Sequence, residues 1–190
     1  GKVWMVQISS TPSVDERALL VGSYFLLRNG TSYYYLVGEG PITWYPEYEI
    51  DLGWYLDEPP EDLESLRVAG TAGEGGLYRR DYSHGLVLVN ASDGPLSTDV
   101  GAGPYRAAAF SGGGEVDGTG SMPASSLEYS GSWSGTVSVT ARSSLLLQVE
   151  SGPPAPGAFT ELEERYSLPT ASLGWIAVLM PLALLAYERA

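Results

Sequence analysis

Apolar positions fall into a strand, a helix and a second strand at the start of the chain. Lys2 to Ser9 is a short, mostly apolar run that reads as a buried strand, and Thr11-Pro12 closes it. Ser13-Val14-Asp15-Glu16 then matches a capping box, in which the serine hydroxyl accepts an orphan helix N–H while Glu16 reaches back. ERALLVGSYFLLRNG continues as a helix, with Asn29-Gly30 as its expected terminator. Thr31 to Gly38, TSYYYLVG, has the β-branched and aromatic content of a second strand. Strand, helix and strand with short links predict a βαβ unit, hence parallel strands. Two parallel strands are too few for a stable sheet, so the remaining strands are expected to be missing from this chain, which looks cut at Gly1, or to be supplied by another chain.

The pattern changes after Gly53. Trp54 to Gly76 is acidic and rich in Pro and Gly, and reads as a connector with one short helical turn. From Leu77 to Val149, seven short strand-like runs (LYRRDYS, LVLVN, LSTDV, YRAAAF, LEYS, TVSVTA and SLLLQV) are punctuated by Gly, Asn, Asp, Ser and Pro. That spacing predicts an antiparallel β-sandwich. Ser83-His84-Gly85 reads as a tight hairpin connection, with the glycine supplying a positive φ and His84 pointing from the tip toward solvent. Arg79 and Arg80 must face opposite sides of their strand, so one lies on the side of Asp81 and the other on that of Tyr78 and Tyr82.

The C-terminal end is different again. GPPAPG, residues 152–157, is a stiff spacer, and Leu168 to Tyr187 contains no charged side chain. Twenty such residues in a helix reach roughly 30 Å, the thickness of a bilayer's hydrocarbon core. A membrane anchor is the expectation, with Trp175 and Tyr187 at the headgroups; a buried or surface-docked helix is the alternative. The globular part would then lie outside the cell, at its surface.

The expected organisation is therefore an α/β remnant followed by an all-β antiparallel sandwich and a C-terminal hydrophobic helix. Residues 1–53 hold the βαβ remnant and the loop that follows it. Residues 54–76 form a linker, 77–151 the sandwich, 152–166 a Pro-rich stalk and 167–190 a hydrophobic, membrane-spanning helix.

Composition restricts the chemistry. Ten basic and 23 acidic side chains give a net charge of −13, which would repel a phosphate backbone and argues against nucleic-acid binding. The absence of cysteine removes disulfides, thiol nucleophiles and thiolate metal sites, and a single histidine cannot by itself build a zinc cage. Neither a metal nor another cofactor is expected. Glu115 and Asp117, in the loop SGGGEVDGTGS, could touch calcium, but their spacing fits no calcium loop and favours a bare hairpin. Asn29-Gly30-Thr31 and Asn90-Ala91-Ser92 are formal glycosylation sequons.

A resemblance rests on two segments. Tyr45-Pro46-Glu47-Tyr48 with Asp51-Leu52-Gly53, followed by Arg80-Asp81-Tyr82 through Gly85 to Asn90, resembles the C-terminal third of the hypothetical glycosyl hydrolase family 15 of glycoside-hydrolase-like TIM-barrel proteins. In that family the last barrel strand leads into a YPEY segment, and a small β-sandwich opens with a similar hairpin. The resemblance spans most of residues 1–150 and implies a carbohydrate-active parent protein with a glycan as partner. The long connector and the apolar tail depart from the pattern.

Barrel enzymes work at the C-terminal ends of their strands. Those positions are here Gln7, Ser9 and Ser10 after the first strand, and Glu39, Trp44, Tyr45, Glu47 and Tyr48 after the second. Aromatic rings flanked by carboxylates suit sugars, so Gln7, Trp44, Tyr45, Glu47 and Tyr48 are the candidate substrate-binding residues; a packed chain reversal is the alternative. Glycosidases need two carboxylates about one bond. Glu39 or Glu47 could be one of them, and the other is expected before Gly1. Asp15 and Glu16 are better explained by the cap. Two functions follow: part of the glycan-binding rim and an accessory sandwich in a membrane-tethered carbohydrate-active protein, or a non-catalytic surface protein whose sandwich binds glycan or neighbouring subunits.

Overall fold

The computed structural model describes residues 13–29, 42–57 and 62–150, and the backbone of Met5–Val6 and Tyr33–Tyr34. All belong to one unit, residues 1–150. The expected stalk and membrane-spanning helix, with Gln7, Glu39 and the Gly30 terminator, lie outside the described residues. Among those described, no helix is long and apolar enough to cross a membrane.

The first strand, β1 (Met5–Val6), pairs in parallel with β2 (Tyr33–Tyr34), and α1 (Val14–Leu27) lies between them in sequence, as the βαβ pattern requires. The capping box forms. The Ser13 amide donates to Glu16 Oε2 at 2.7 Å and the Glu16 amide to Ser13 Oγ at 3.3 Å. The Ser13 amide and, at 2.8 Å, the Ser13 hydroxyl both donate to Glu16 Oε2, and they hold the Glu16 carboxyl below its usual range. The helix ends at Leu27, earlier than its sequence suggested, because Arg28 turns to an extended conformation.

No barrel is present among the described residues. The helix lies on a six-stranded antiparallel sheet instead, in the order β10 (Ser125–Trp133), β8 (Tyr105–Gly112), β12 (Ser143–Val149), β6 (Gly85–Asn90), β5 (Gly76–Tyr82), β4 (Arg67–Gly70). All seven strand-like runs from Leu77 onward become strands. The sequence reading missed β4, which forms inside the acidic connector; the helical turn expected there is a 3-10 turn at Leu63–Leu66. Two short pairs complete the fold: β7 (Leu96–Asp99) with β11 (Thr136–Val139), and β3 (Thr43–Trp44) with β9 (Gly114–Glu115).

Strand alternation divides the sheet's side chains between two cores. Val87 and Val89 of β6, Tyr78 and Tyr82 of β5 and Leu146 of β12 face α1, where they meet Val21, Phe25 and Leu26 with Ile50 and Leu52. Leu86, Leu88, Leu77 and Leu147 face the β7–β11 ribbon, meeting Val100, Val137 and Val139. Central strand β6 is covered on both faces, so every one of its residues is buried. This explains why GLVLVN is an unbroken apolar run rather than an alternating one.

Helix and sheet approach closely at Gly22. A Cβ there would collide with Ser144 Cβ and Oγ, and Ser144 Oγ donates to the Ala18 carbonyl. Glycine is also required at Gly85, although its φ is ordinary. A side chain at Gly85 would strike the Leu147 carbonyl of the adjoining strand, so close approach rather than a positive φ explains it.

Candidate functional site

The segment carrying most of the candidate residues, 42–53, is fastened at both ends. At its start, Thr43 and Trp44 pair with Glu115 and Gly114, and the Val116 amide donates to the Ile42 carbonyl at 2.8 Å. At its end, Ile50 and Leu52 enter the helix-side core, while Gln148 Nε2 donates to the Asp51 carbonyl at 2.9 Å. Between these anchors, Pro46–Glu49 winds into a 3-10 turn for which proline at the first position is pre-set.

That turn places Glu47 in the interior, with its side chain 0% exposed. Its Oε1 lies 3.4 Å from Arg17 Nε, and neither carboxylate oxygen has a hydrogen-bond partner. Arg17 is equally enclosed; its NH1 group donates to the Gly112 carbonyl at 2.9 Å, and its guanidinium lies 4.5 Å from the Tyr45 ring centroid and 5.8 Å from that of Phe110. Burial pushes the Glu47 carboxyl above its usual range, and the Arg17 charge offsets this only in part. The pair joins the first turns of α1 to the loop and to the end of β8.

The aromatics form one cluster around this pair. Tyr45 is buried, and Trp44 and Tyr45 each meet Tyr48 edge to face, with centroids 5.5 and 6.0 Å apart. Trp44, Tyr45, Glu47 and Tyr48 are thus brought together, but Tyr45 and Glu47 point inward. Sequence reasoning missed Arg17. Its signal was a lone charge in the apolar row Arg17, Val21, Phe25 of the helix.

A second buried arginine explains the Tyr78–Asn90 stretch. Arg79 pairs with Asp81 at 2.7 Å, and Arg80 lies on the opposite face beneath α1, as strand alternation requires. Arg80 NH1 donates to the carbonyls of Leu26 at 3.0 Å and Arg28 at 2.6 Å, and the Tyr82 hydroxyl donates to that of Phe25. These groups serve carbonyls that the end of any helix leaves without an intrahelical partner. Burial pushes the Tyr82 phenol up to about 12.

His84 does not simply point to solvent. Its Nδ1 lies 3.6 Å from Asp51 Oδ2, its amide donates to the Leu52 carbonyl at 3.0 Å, and its side chain is 25% exposed. Ser83 Oγ accepts from the Trp54 amide. In the glycine-rich loop, Asp117 Oδ1 accepts from the Thr119 and Ser121 amides at 2.8 and 2.9 Å. The carboxylate thus organises its own turn, and its pKa is lowered by the Thr119 hydroxyl and by these bonds. Among the described residues no group of three or more His, Asp or Glu could hold a metal ion. Asn90, in one of the two sequons, is fully buried, and its Nδ2 donates to the Gly94 and Val139 carbonyls, each at 2.9 Å.

No family model, curated protein or solved structure matches the chain. Its chemistry therefore has to be read from these residues. Glu47 faces a cation rather than a second carboxylate and is closed to solvent, an arrangement suited to clamping a loop in place. Trp44 and Tyr48 are the half-buried members of the aromatic cluster.

Proposed function

We propose that this chain is the accessory, glycan-engaging part of a membrane-tethered carbohydrate-active protein, with the catalytic carboxylates contributed from outside the described residues. The reading takes residues 1–53 as the edge of a (β/α)8 barrel resting on the sheet, and residues 168–187 as a membrane anchor that holds the globular part at the cell surface. The observation that supports it best is the parallel pairing of Met5–Val6 with Tyr33–Tyr34, strands that flank α1 in sequence as in the repeating unit of such barrels. The aromatic loop then leads directly from the barrel edge to the sheet.

A second reading, a non-catalytic surface protein whose sheet binds glycan or neighbouring subunits, is favoured by the enclosure of Glu47, the candidate acid among the described residues. The first reading predicts that the full chain binds glycan without cleaving it, and so does the second where the sheet's partner is glycan. Binding to an immobilised polysaccharide panel, with reducing-end release measured on the same material, tests this. Absence of binding across the panel would overturn the first reading and leave the second with neighbouring subunits alone as its partner. Hydrolysis by this chain that is lost in Glu47→Gln would overturn the assignment of Glu47 to a clamp. For the anchor, detergent-dependent extraction should disappear on deletion of residues 168–190; a chain extracted without detergent when its tail is intact would refute it.

A further inference from the structure

Beyond β4, the outer edge of β5 is continued by a short segment of a different origin. Tyr55 bridges Tyr82 in antiparallel fashion; the Ser83 amide donates to the Trp54 carbonyl at 2.8 Å and the Leu56 amide to the Asp81 carbonyl at 3.1 Å. Directly opposed residues of an antiparallel pair share a face, so Tyr55 lies with Tyr82 on the helix side, where its ring covers the Arg80 guanidinium at 4.8 Å. Alternation sends Trp54 and Leu56 to the other face, beside Ser83 and Asp81.

The ribbon covers that face only in part. Arg79 NH1 donates to the carbonyl of Asp99, the last residue of β7, at 2.9 Å. Past this contact Trp54 is 54% and Leu56 63% exposed. Next to them, Arg79 grips Asp81 through Nε and NH2 at 3.0 and 2.7 Å, leaving the Asp81 side chain 40% exposed. An indole and a leucine held by main-chain hydrogen bonds thus stand exposed beside a hydrogen-bonded guanidinium–carboxylate pair.

We propose that Trp54, Leu56, Asp81 and Arg79 form a binding platform for an uncharged pyranose glycan, distinct from the loop at residues 42–53; this rests on the carbohydrate reading above. The indole takes the C–H face of a sugar ring, and the charged pair takes its hydroxyls through charge-assisted hydrogen bonds. Because the platform's backbone is already paired, little ordering opposes binding. The net charge of −13 selects a neutral glycan over a uronic-acid or sulfated one.

Affinity electrophoresis of the full chain through gels containing soluble β-glucan, mannan, xylan or polygalacturonate tests the proposal. Retardation is expected with a neutral polysaccharide, and Trp54→Ala should weaken it about tenfold, the loss of one ring contact. Leu56→Gln, which keeps the backbone bonds, should weaken it about threefold by removing apolar contact, while Met122→Ala, at an exposed apolar residue outside the platform and the 42–53 loop, should change it little. Undiminished retardation of Trp54→Ala and Leu56→Gln, or retardation by polygalacturonate alone, would overturn the platform while leaving the glycan reading intact. A wild-type chain retarded by no polysaccharide would overturn both.

Discussion

Replacing Arg80 by methionine tests how α1 is held to the sheet. Methionine keeps most of the apolar stem but removes the guanidinium that lies over the Tyr55 and Tyr82 rings and donates to the end of the helix. Two of the contacts, to Leu26 and Arg28, are short, and those to Phe25 at 3.5 Å and Asp57 at 3.3 Å are weak. At about 1.5–3 kcal/mol for a charge-assisted bond, the two short ones give about 3–6 kcal/mol. Arg80 Nε is buried without a partner, a burden of about 1–3 kcal/mol that the substitution relieves. A net loss of about 3 kcal/mol is expected. Arg79→Met is the control: its partner Asp81 is partly exposed, and about 1 kcal/mol or less should be lost. Urea unfolding of the full chain, followed by far-UV circular dichroism, reads both. With m of about 1–3 kcal/mol/M, the Arg80 variant should shift the midpoint by roughly 1–3 M at unchanged m. Equal shifts for the two variants would refute the idea that Arg80 secures the helix end.

Other outcomes follow from individual contacts. Gly22→Ala should gain about 1 kcal/mol of helix propensity but lose more to the collision with Ser144, for a net destabilisation of about 1–2 kcal/mol that Ser144→Gly partly relieves in a thermal melt. Since Glu47 has a raised pKa in the folded chain, its protonation favours folding. That contribution is complete below the ordinary glutamate range and is lost as pH rises through the folded-state value. Wild type should therefore lose stability relative to Glu47→Gln as pH rises above the ordinary glutamate range, and a difference in urea midpoints independent of pH would remove the cause assigned to burial. Asn90→Ala should destabilise by about 2 kcal/mol, because the Gly94 and Val139 carbonyls lose their donor. Folded chain offered to an oligosaccharyltransferase should stay unmodified at Asn90, as judged by mass spectrometry of its peptides.

Local signals located most of the elements. The capping box at Ser13 and the apolar repeat beyond it placed α1, and turn residues between alternating runs placed the strands from Leu77 to Val149. Strand β4 was not legible, because RVAG acquires strand character only by pairing with Gly76 to Tyr78 and lies in a stretch whose composition is that of a connector. Residues 43–44 and 114–115 are too short to carry a pattern at all. The YPEY segment stood out as chemically distinctive, yet nothing near it in sequence indicates that Glu47 turns inward. Its partner Arg17 comes from a different element, and whether a carboxylate in a 3-10 turn faces solvent or a guanidinium depends on where α1 lies.

The same division holds for the stretch from Tyr78 to Asn90. Its alternation determined that Arg79 and Arg80 face opposite ways, because side chains of a strand repeat every second residue whatever the fold around them. Tertiary structure decided what each one meets: Arg79 a partly exposed carboxylate on its own strand, Arg80 the carbonyls at the end of a helix more than fifty residues earlier in the chain. Periodicity and caps are fixed by backbone geometry over a few residues and can be read from neighbours. Burial, ion pairing and the exposure of Trp54 depend on which distant segments converge, and only the folded chain brings those together.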